Sequence, residues 1–171
     1  LTGNQVYGGM AGLFLISDRE EQALGLPSGE DDLALVLQDR TFGPDNQLVY
    51  LRSPMDRMNG FLGDRIMVNG QANSTFDVKG KPYRLRILNG SNSRIFRLAW
   101  SNGRNLQILG TDGGLLEKPL NVPDIMLGPA ERVDLWADFG DMPKDSTVSL
   151  RSLPFNTGGG HMGMMGRGAR Q

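Results

Sequence analysis

The residues best suited to metal chemistry lie near the end of the chain. Residues 158–168 read GGGHMGMMGRG and contain six glycines, three methionines and the only histidine. Thioether sulfur is a soft ligand that suits Cu(I), and a neutral imidazole can add a nitrogen ligand. Because glycine lets the chain bend around an ion, the segment predicts a weak Cu(I) site formed by His161, Met162, Met164 and Met165. The alternative is a flexible linker whose methionines are incidental.

Other polar clusters favour structural roles. Asp112 lies in a Thr-Asp-Gly-Gly turn, and nothing fixes it opposite Glu117 as a catalytic carboxylate pair requires. The Asn-Gly-Ser-Asn-Ser run, residues 89–93, suits an anion-binding backbone nest less well than a polar turn with its own side-chain hydrogen bonds. Adjacent opposite charges suit buried ion pairs at domain contacts or solvated surface pairs, and for most of them the surface interpretation is favoured. These pairs are Asp39-Arg40, Asp64-Arg65 and Glu131-Arg132.

Composition excludes several classes of function. The length of 171 residues suits one domain, and with no cysteine the chain has no disulfide, thiolate nucleophile or blue-copper thiolate. A net charge of −1 without a basic stripe argues against nucleic acid as a partner. No apolar run approaches the ~20 residues of a membrane-spanning helix. The chain begins at Leu1 without signal-peptide features, so we expect a fragment or a processed product.

Short apolar runs separated by turn residues predict an all-β fold. In residues 83–88, for example, Leu85 and Ile87 alternate with Arg84 and Arg86, which is the two-residue period of a strand. About ten such runs at roughly ten-residue spacing are typical of an antiparallel β-sandwich or barrel. The runs are 12–17, 32–39, 47–51, 64–69, 83–88, 95–101, 106–109, 125–127, 132–139 and 147–153.

Local signals add a helical turn, two tight turns and a set of methionines. Asp18 as the cap and Gly25 as the stop predict one turn of helix between them. Residues 43–46 and the pair Asn69-Gly70 predict turns. Four methionines are expected to fill the core, two of them with a domain interface as the alternative. The core pair is Met67 and Met126, and the ambiguous pair is Met55 and Met58.

Several stretches, taken in chain order, carry a family resemblance. They read QVYGGMAGLFLISD at 5–18, LQDRTF at 37–42, GFLGDRIMVNG at 60–70 and YRLRILNGSNSR at 83–94, followed by ILGTDGGLL at 108–116 and LGPAERVD at 127–134. This order resembles the multicopper oxidases, the family of laccases, bacterial cuprous oxidases and bilirubin oxidases. The resemblance implies a Greek-key cupredoxin-like β-barrel or sandwich.

The resemblance also implies a domain organisation. Residues 1–18 would be the terminal strand of a preceding cupredoxin domain, and 19–155 a middle cupredoxin-like domain without copper ligands. Residues 156–171 would be a flexible Gly/Met-rich linker resembling the start of the Met-rich insertions of cuprous oxidases. The copper-binding His cluster expected just before Leu1 and the His-Cys-His motif of domain three are absent from this sequence. No catalytic residue is therefore expected here, and copper would be bound by domains outside it.

Three functional hypotheses follow. The first is a portion of an exported, periplasmic or secreted, copper-dependent oxidase that takes electrons from Cu(I) or phenolic donors and reduces O2 to water. Its partners would be cupredoxin domains one and three, together with Cu(I) itself. The second is a copper-free periplasmic interaction or stress protein of the same fold. The third is an isolated scaffold domain, whose exposed apolar surface would favour self-association.

Overall fold

Strands make up most of the fold. The computed structural model describes residues 2–156. In that range the chain forms three short helices, a single 3₁₀ turn and ten strands. The helices are α1 (Gly3–Tyr7), α2 (Arg19–Ala23) and α3 (Pro54–Asn59), and the 3₁₀ turn is Gly29–Asp31. The strands are β1 (Asp32–Arg40), β2 (Arg65–Val68), β3 (Gln71–Ala72), β4 (Pro82–Asn89), β5 (Phe96–Trp100), β6 (Leu106–Thr111), β7 (Gly114–Val122), β8 (Ile125–Leu127), β9 (Arg132–Asp138) and β10 (Leu150–Ser152).

The strands form two sheets that share one core. The larger sheet has the order β3-β2-β1-β4-β9-β6-β7, and the smaller has the order β10-β5-β8. Apolar side chains of both sheets meet between them, so the domain is a two-layer sandwich. The larger sheet contributes Leu35, Leu37, Leu85, Ile87, Leu106, Ile108, Val133 and Leu135, and the smaller contributes Phe96, Leu98 and Leu127. The predicted all-β cupredoxin-like class is confirmed.

One strand pair departs from the antiparallel prediction. β1 and β4 run parallel, with Leu33 opposite Leu85 and Leu35 opposite Ile87. Parallel neighbours need a long connection. Here the chain from Thr41 to Lys81 supplies it and contains α3, β2 and β3. Every other strand pair in residues 2–156 is antiparallel.

The predicted turns agree with the structure. Asp18 caps α2 because its side chain accepts a hydrogen bond from the Glu21 amide, and Gly25 follows the helix at φ +65°. Asn69 and Gly70 take φ values of 50° and 80°, which suits the tight turn between β2 and β3. Residues 43–46 also turn, since the Asn46 amide donates to the Gly43 carbonyl.

Two predicted strands do not form. Residues 12–17, expected in the terminal strand of a preceding domain, have no strand partner among the described residues. A strand is stabilised by pairing with a neighbour, so an apolar run alone does not make one. Residues 47–51 contribute only an isolated bridge between Leu48 and Phe42. The division of the chain at residues 18 and 155 stays a prediction.

Strand β7 was missed by the sequence pattern. It contains Pro119, which cannot donate to a ladder and therefore lowers the expectation of a strand. The structure accommodates this proline because β7 is an edge strand. The β6–β7 register also shifts between Ile108 and Gly110, so residues 116–119 lie in an irregular stretch.

Candidate functional site

The four predicted Cu(I) ligands, His161, Met162, Met164 and Met165, lie outside the described residues. Within residues 2–156, no group of three or more His, Cys, Asp or Glu side chains could hold a metal ion. The described residues therefore do not fit a copper centre. Their functional features are instead contacts that fix loops and segments on the sandwich, and an exposed apolar surface.

Tyr7 anchors the N-terminal segment to the sandwich. Its side chain is 3% exposed, and its ring stacks on Tyr50 at 4.5 Å and meets the edge of Phe61 at 5.3 Å. The Arg40 guanidinium lies 4.7 Å from the ring centroid of Tyr7. The Tyr7 hydroxyl accepts a hydrogen bond of 2.7 Å from the buried amide of Thr41. Burial raises the pKa of the Tyr7 phenol, so it stays a neutral acceptor at physiological pH.

The loop after β4 is held by asparagine side chains. Asn89 is fully buried and donates to the carbonyls of Arg94 and Leu127, while its own side-chain carbonyl accepts from the Ser91 amide. Asn92 donates to the Gly3 carbonyl at 2.9 Å and so ties this loop to α1. The polar-turn interpretation of residues 89–93 is thus consistent with the structure.

Asp39 is a buried charge with a partner far along the chain. It is 2% exposed and accepts hydrogen bonds from Arg94 Nε at 2.9 Å and from the Gly63 amide at 2.6 Å. Arg40 is also buried but contacts the backbone carbonyls of Asp39 and Val6. Of the two interpretations left open for Asp39-Arg40, the surface one does not apply: both side chains are buried, Asp39 pairs with Arg94, and Arg40 contacts backbone carbonyls.

A second ionic cluster fixes α2 on the outer face of the larger sheet. Arg84 is 3% exposed and donates to Glu21 at 2.6 Å and to Asp134 through Nε at 2.9 Å. Arg86 bridges the same Glu21 carboxylate and Asp32. Burial alone raises the pKa of Glu21, but the hydrogen bonds and charges of the two arginines outweigh burial and hold that pKa below its usual value.

Apolar side chains remain exposed on the segments outside the core. Phe14 is 89% exposed and Met58 is 80% exposed. The core assignment was wrong for Met55, Met58 and Met126, since all three are exposed. Met55 and Met58 lie on α3, outside both sheets, so the domain-interface alternative remains for them. Several exposed apolar side chains close together are typical of interaction surfaces. Those along the N-terminal segment are Met10, Phe14, Leu15 and Ile16.

Comparison with known proteins places this sandwich in a family. The family model for multicopper oxidase matches residues 36–152. The chain belongs to the multicopper oxidase family. It is 38% identical to a laccase of Bacillus stratosphericus over 163 residues, covering 89% of this chain and 32% of that laccase. It is 40% identical to the cell division protein FtsP of Xenorhabdus nematophila over 151 residues, covering 87% of this chain and 31% of FtsP.

Solved structures agree with the family assignment. The multicopper oxidase McoA of Aquifex aeolicus superposes with a TM-score of 0.83 at 42% identity, covering 91% of this chain and 35% of McoA. This multicopper oxidase chain thus spans about a third of the length of the relatives it matches. No helix among the described residues is long and apolar enough to cross a membrane.

The sequence pattern did not identify the residues that fix the loops and the N-terminal helices on the sandwich. Tyr7, Asp39 and Arg84 each act through partners more than thirty positions away, for example Glu21 opposite Arg84 at a separation of 63. A signal was present for Arg84, which alternates with core leucine and isoleucine in β4 and therefore shares a face with Arg86. Nothing in the local sequence identifies that face as covered by α2.

Proposed function

We propose that the chain is the middle-domain portion of a multicopper oxidase that oxidises Cu(I) or phenolic donors and reduces O2 to water. The family match over residues 36–152, in a chain spanning about a third of its relatives, carries the proposal. In this assignment the segment spaces two copper-binding domains and lines the donor pocket. Electron transfer and oxygen reduction belong to residues outside this sequence.

The described residues support a spacing role through rigidity. Asp39 and Arg84 are buried charges with ionic partners in the same domain, and in this proposal those pairs hold their surroundings in one geometry. Tyr7 and Glu21 hold the two N-terminal helices, α1 and α2, against the sandwich. The partners in this proposal are cupredoxin domains one and three, which would cover exposed apolar groups such as Phe14. The location in this proposal is periplasmic or secreted.

Oxygen consumption, measured with an oxygen electrode, tests whether this segment is inactive without the rest of the enzyme. We expect the 171-residue chain to consume no O2 with a phenolic donor or Cu(I), because its described residues contain no metal cluster. A longer protein that contains this sequence should consume O2 and retain copper after dialysis. Turnover by a verified 171-residue sample would refute the proposal.

The Cu(I) role of the C-terminal residues needs a separate measurement. We propose that His161, Met162, Met164 and Met165 form a weak Cu(I) contact, because soft thioether ligands flanked by glycines suit this ion. Replacing the three methionines by leucine keeps their volume but removes the sulfur ligands. We expect this variant to lose Cu(I) in competition with a chelator, whereas the control Met55→Leu/Met58→Leu, in exposed α3, should not. Equal Cu(I) retention by all proteins would contradict the role.

The similarity to FtsP favours a second candidate, a non-catalytic interaction protein. Relatives named as cell division proteins match this chain about as well as those named laccases. In this alternative the sandwich serves an assembly without copper. The residues that precede Leu1 in a longer protein discriminate: a His-x-His pattern there supports the oxidase, and its loss supports the interaction protein.

A further inference from the structure

Both tryptophans of the chain line a small cavity at one end of the sandwich. Its volume is about 160 Å³, and Trp100 from the end of β5 and Trp136 from β9 line it. Both side chains are half-buried. Trp100 packs against the core and meets Phe139 edge-on at 6.0 Å, whereas Trp136 alternates with the core residues of β9 and lies on the outer face of the larger sheet. None of the residues discussed as predicted ligands or segment anchors lines this cavity.

A row of polar side chains crosses the strands beside Trp136. Gln107 on β6 lies directly opposite Trp136 on β9 and directly opposite Asn121 on β7. Residues opposite each other in antiparallel strands share one face of the sheet. The row therefore presents two amide groups next to an indole ring, and Asn105 adds a third amide to the lining.

These amides are available to a ligand. Asn105 and Asn121 are exposed and Gln107 is half-buried, and none of their side chains hydrogen-bonds to another residue within 2–156. Each amide can donate two hydrogen bonds and accept others. A ligand whose hydroxyl groups both donate and accept would match them.

The charges at the cavity balance. Arg104 lines it and donates from Nη1 to the Asp138 carbonyl at 3.0 Å, and the Asp138 carboxylate accepts from the Gly140 amide at 2.8 Å. One cation beside one carboxylate favours neither an anion nor a cation. Ligand sites for apolar molecules are lined mainly by hydrophobic side chains, whereas amides and charged groups dominate here.

We infer that this cavity binds one neutral, polyhydroxylated ring, the pyranose unit of a carbohydrate. The Trp136 indole would pack against the apolar C–H face of the ring, and the amides beside it would bind its hydroxyl groups. Sites for drug-sized ligands occupy ~300–1,000 Å³, so a cavity of about 160 Å³ holds a single ring. The inference is independent of the proposed oxidase function, because it uses none of the proposed Cu(I) ligands.

Intrinsic fluorescence tests the inference directly, since both tryptophans report on the cavity. The 171-residue chain is titrated with methyl β-D-glucopyranoside, methyl α-D-mannopyranoside and cellobiose, and in parallel with phenol. We expect a saturable change in tryptophan emission with at least one sugar in the millimolar range, which suits so small a ligand. No saturable response to any of these sugars, or saturation by phenol alone, would overturn the inference.

Variants that remove a single amide provide the matched comparison. Asn121→Ala on β7 and Gln107→Ala on β6 each remove an amide from the cavity, and we expect each to weaken sugar binding about five- to tenfold. Gln71→Ala is the control, because it removes an exposed amide from β3 at the opposite edge of the same sheet. Thermal unfolding of each variant checks that it is folded. Sugar binding that is unchanged in both cavity variants, or weakened equally by Gln71→Ala, would show that the sugar binds elsewhere.

Discussion

Replacing Tyr7 by phenylalanine isolates a single hydrogen bond at the anchor of the N-terminal segment. The substitution keeps the ring and its contacts with Tyr50 and Phe61, but it removes the oxygen that accepts from the Thr41 amide at 2.7 Å. Thr41 is 6% exposed, so water cannot readily replace the lost acceptor. A buried donor without a partner costs about 1–3 kcal/mol. For a chain of this length that cost lowers Tm by about 2–12 °C.

Tyr83→Phe is the matched control. The Tyr83 hydroxyl also accepts a backbone hydrogen bond, from the Lys79 amide at 2.9 Å. Lys79 is exposed, so water can satisfy its amide after the substitution. We therefore expect Tyr83→Phe to cost clearly less than Tyr7→Phe, although both remove one phenolic oxygen from a buried ring.

Two measurements decide the outcome. Urea or thermal unfolding gives the free energy of unfolding for each variant, and hydrogen exchange reports on the Thr41 amide. Tyr7→Phe should be the less stable variant and should exchange faster at Thr41. Equal stability of the two variants would refute the reasoning that burial of the donor, rather than loss of a hydroxyl, sets the cost.

Two further predictions concern the buried polar contacts. The folded-state pKa of Glu21 is depressed, so its carboxylate stabilises the fold above its unfolded pKa of about 4.5. This contribution is lost as pH falls through the lower folded pKa. Glu21→Gln should therefore be less stable than wild type at pH 7 and closer to wild type in unfolding near pH 3. Gly63→Ala should lower the free energy of unfolding by several kcal/mol or prevent folding, because the added Cβ would lie 2.7 Å from the backbone carbons of Asp39 and Arg40. A Tm within about 2 °C of wild type would contradict this close packing.

The strands with a clear two-residue period could be predicted from the sequence. In β4, Leu85 and Ile87 face the core as their alternation indicates, and β9 behaves in the same way with Val133 and Leu135. The capped turn at Asp18 was also predictable, because its signals lie within a few residues of each other. Local periodicity and capping are sufficient where one face is buried and the partners are near in sequence.

The remaining features depend on partners distant in sequence. Residues 12–17 are as apolar as a strand, but they have no pairing partner within residues 2–156, and Phe14 is exposed. Conversely, β7 forms despite Pro119 because an edge strand tolerates a missing donor. The burial of Arg84 depends on Glu21 and Asp134, at separations of 63 and 50 residues. Long-range pairing, rather than residue type, decides each of these cases.

The buried charges and the exposed apolar groups of this domain differ in where their partners lie. Asp39 and Arg84 find their partners inside the sandwich, so a neighbouring domain is not needed to neutralise them. Large apolar side chains such as Phe14 and Met58 are instead exposed. Apolar contacts are non-directional and roughly proportional to area. Contacts made to these exposed apolar side chains would therefore leave the ionic clusters unchanged.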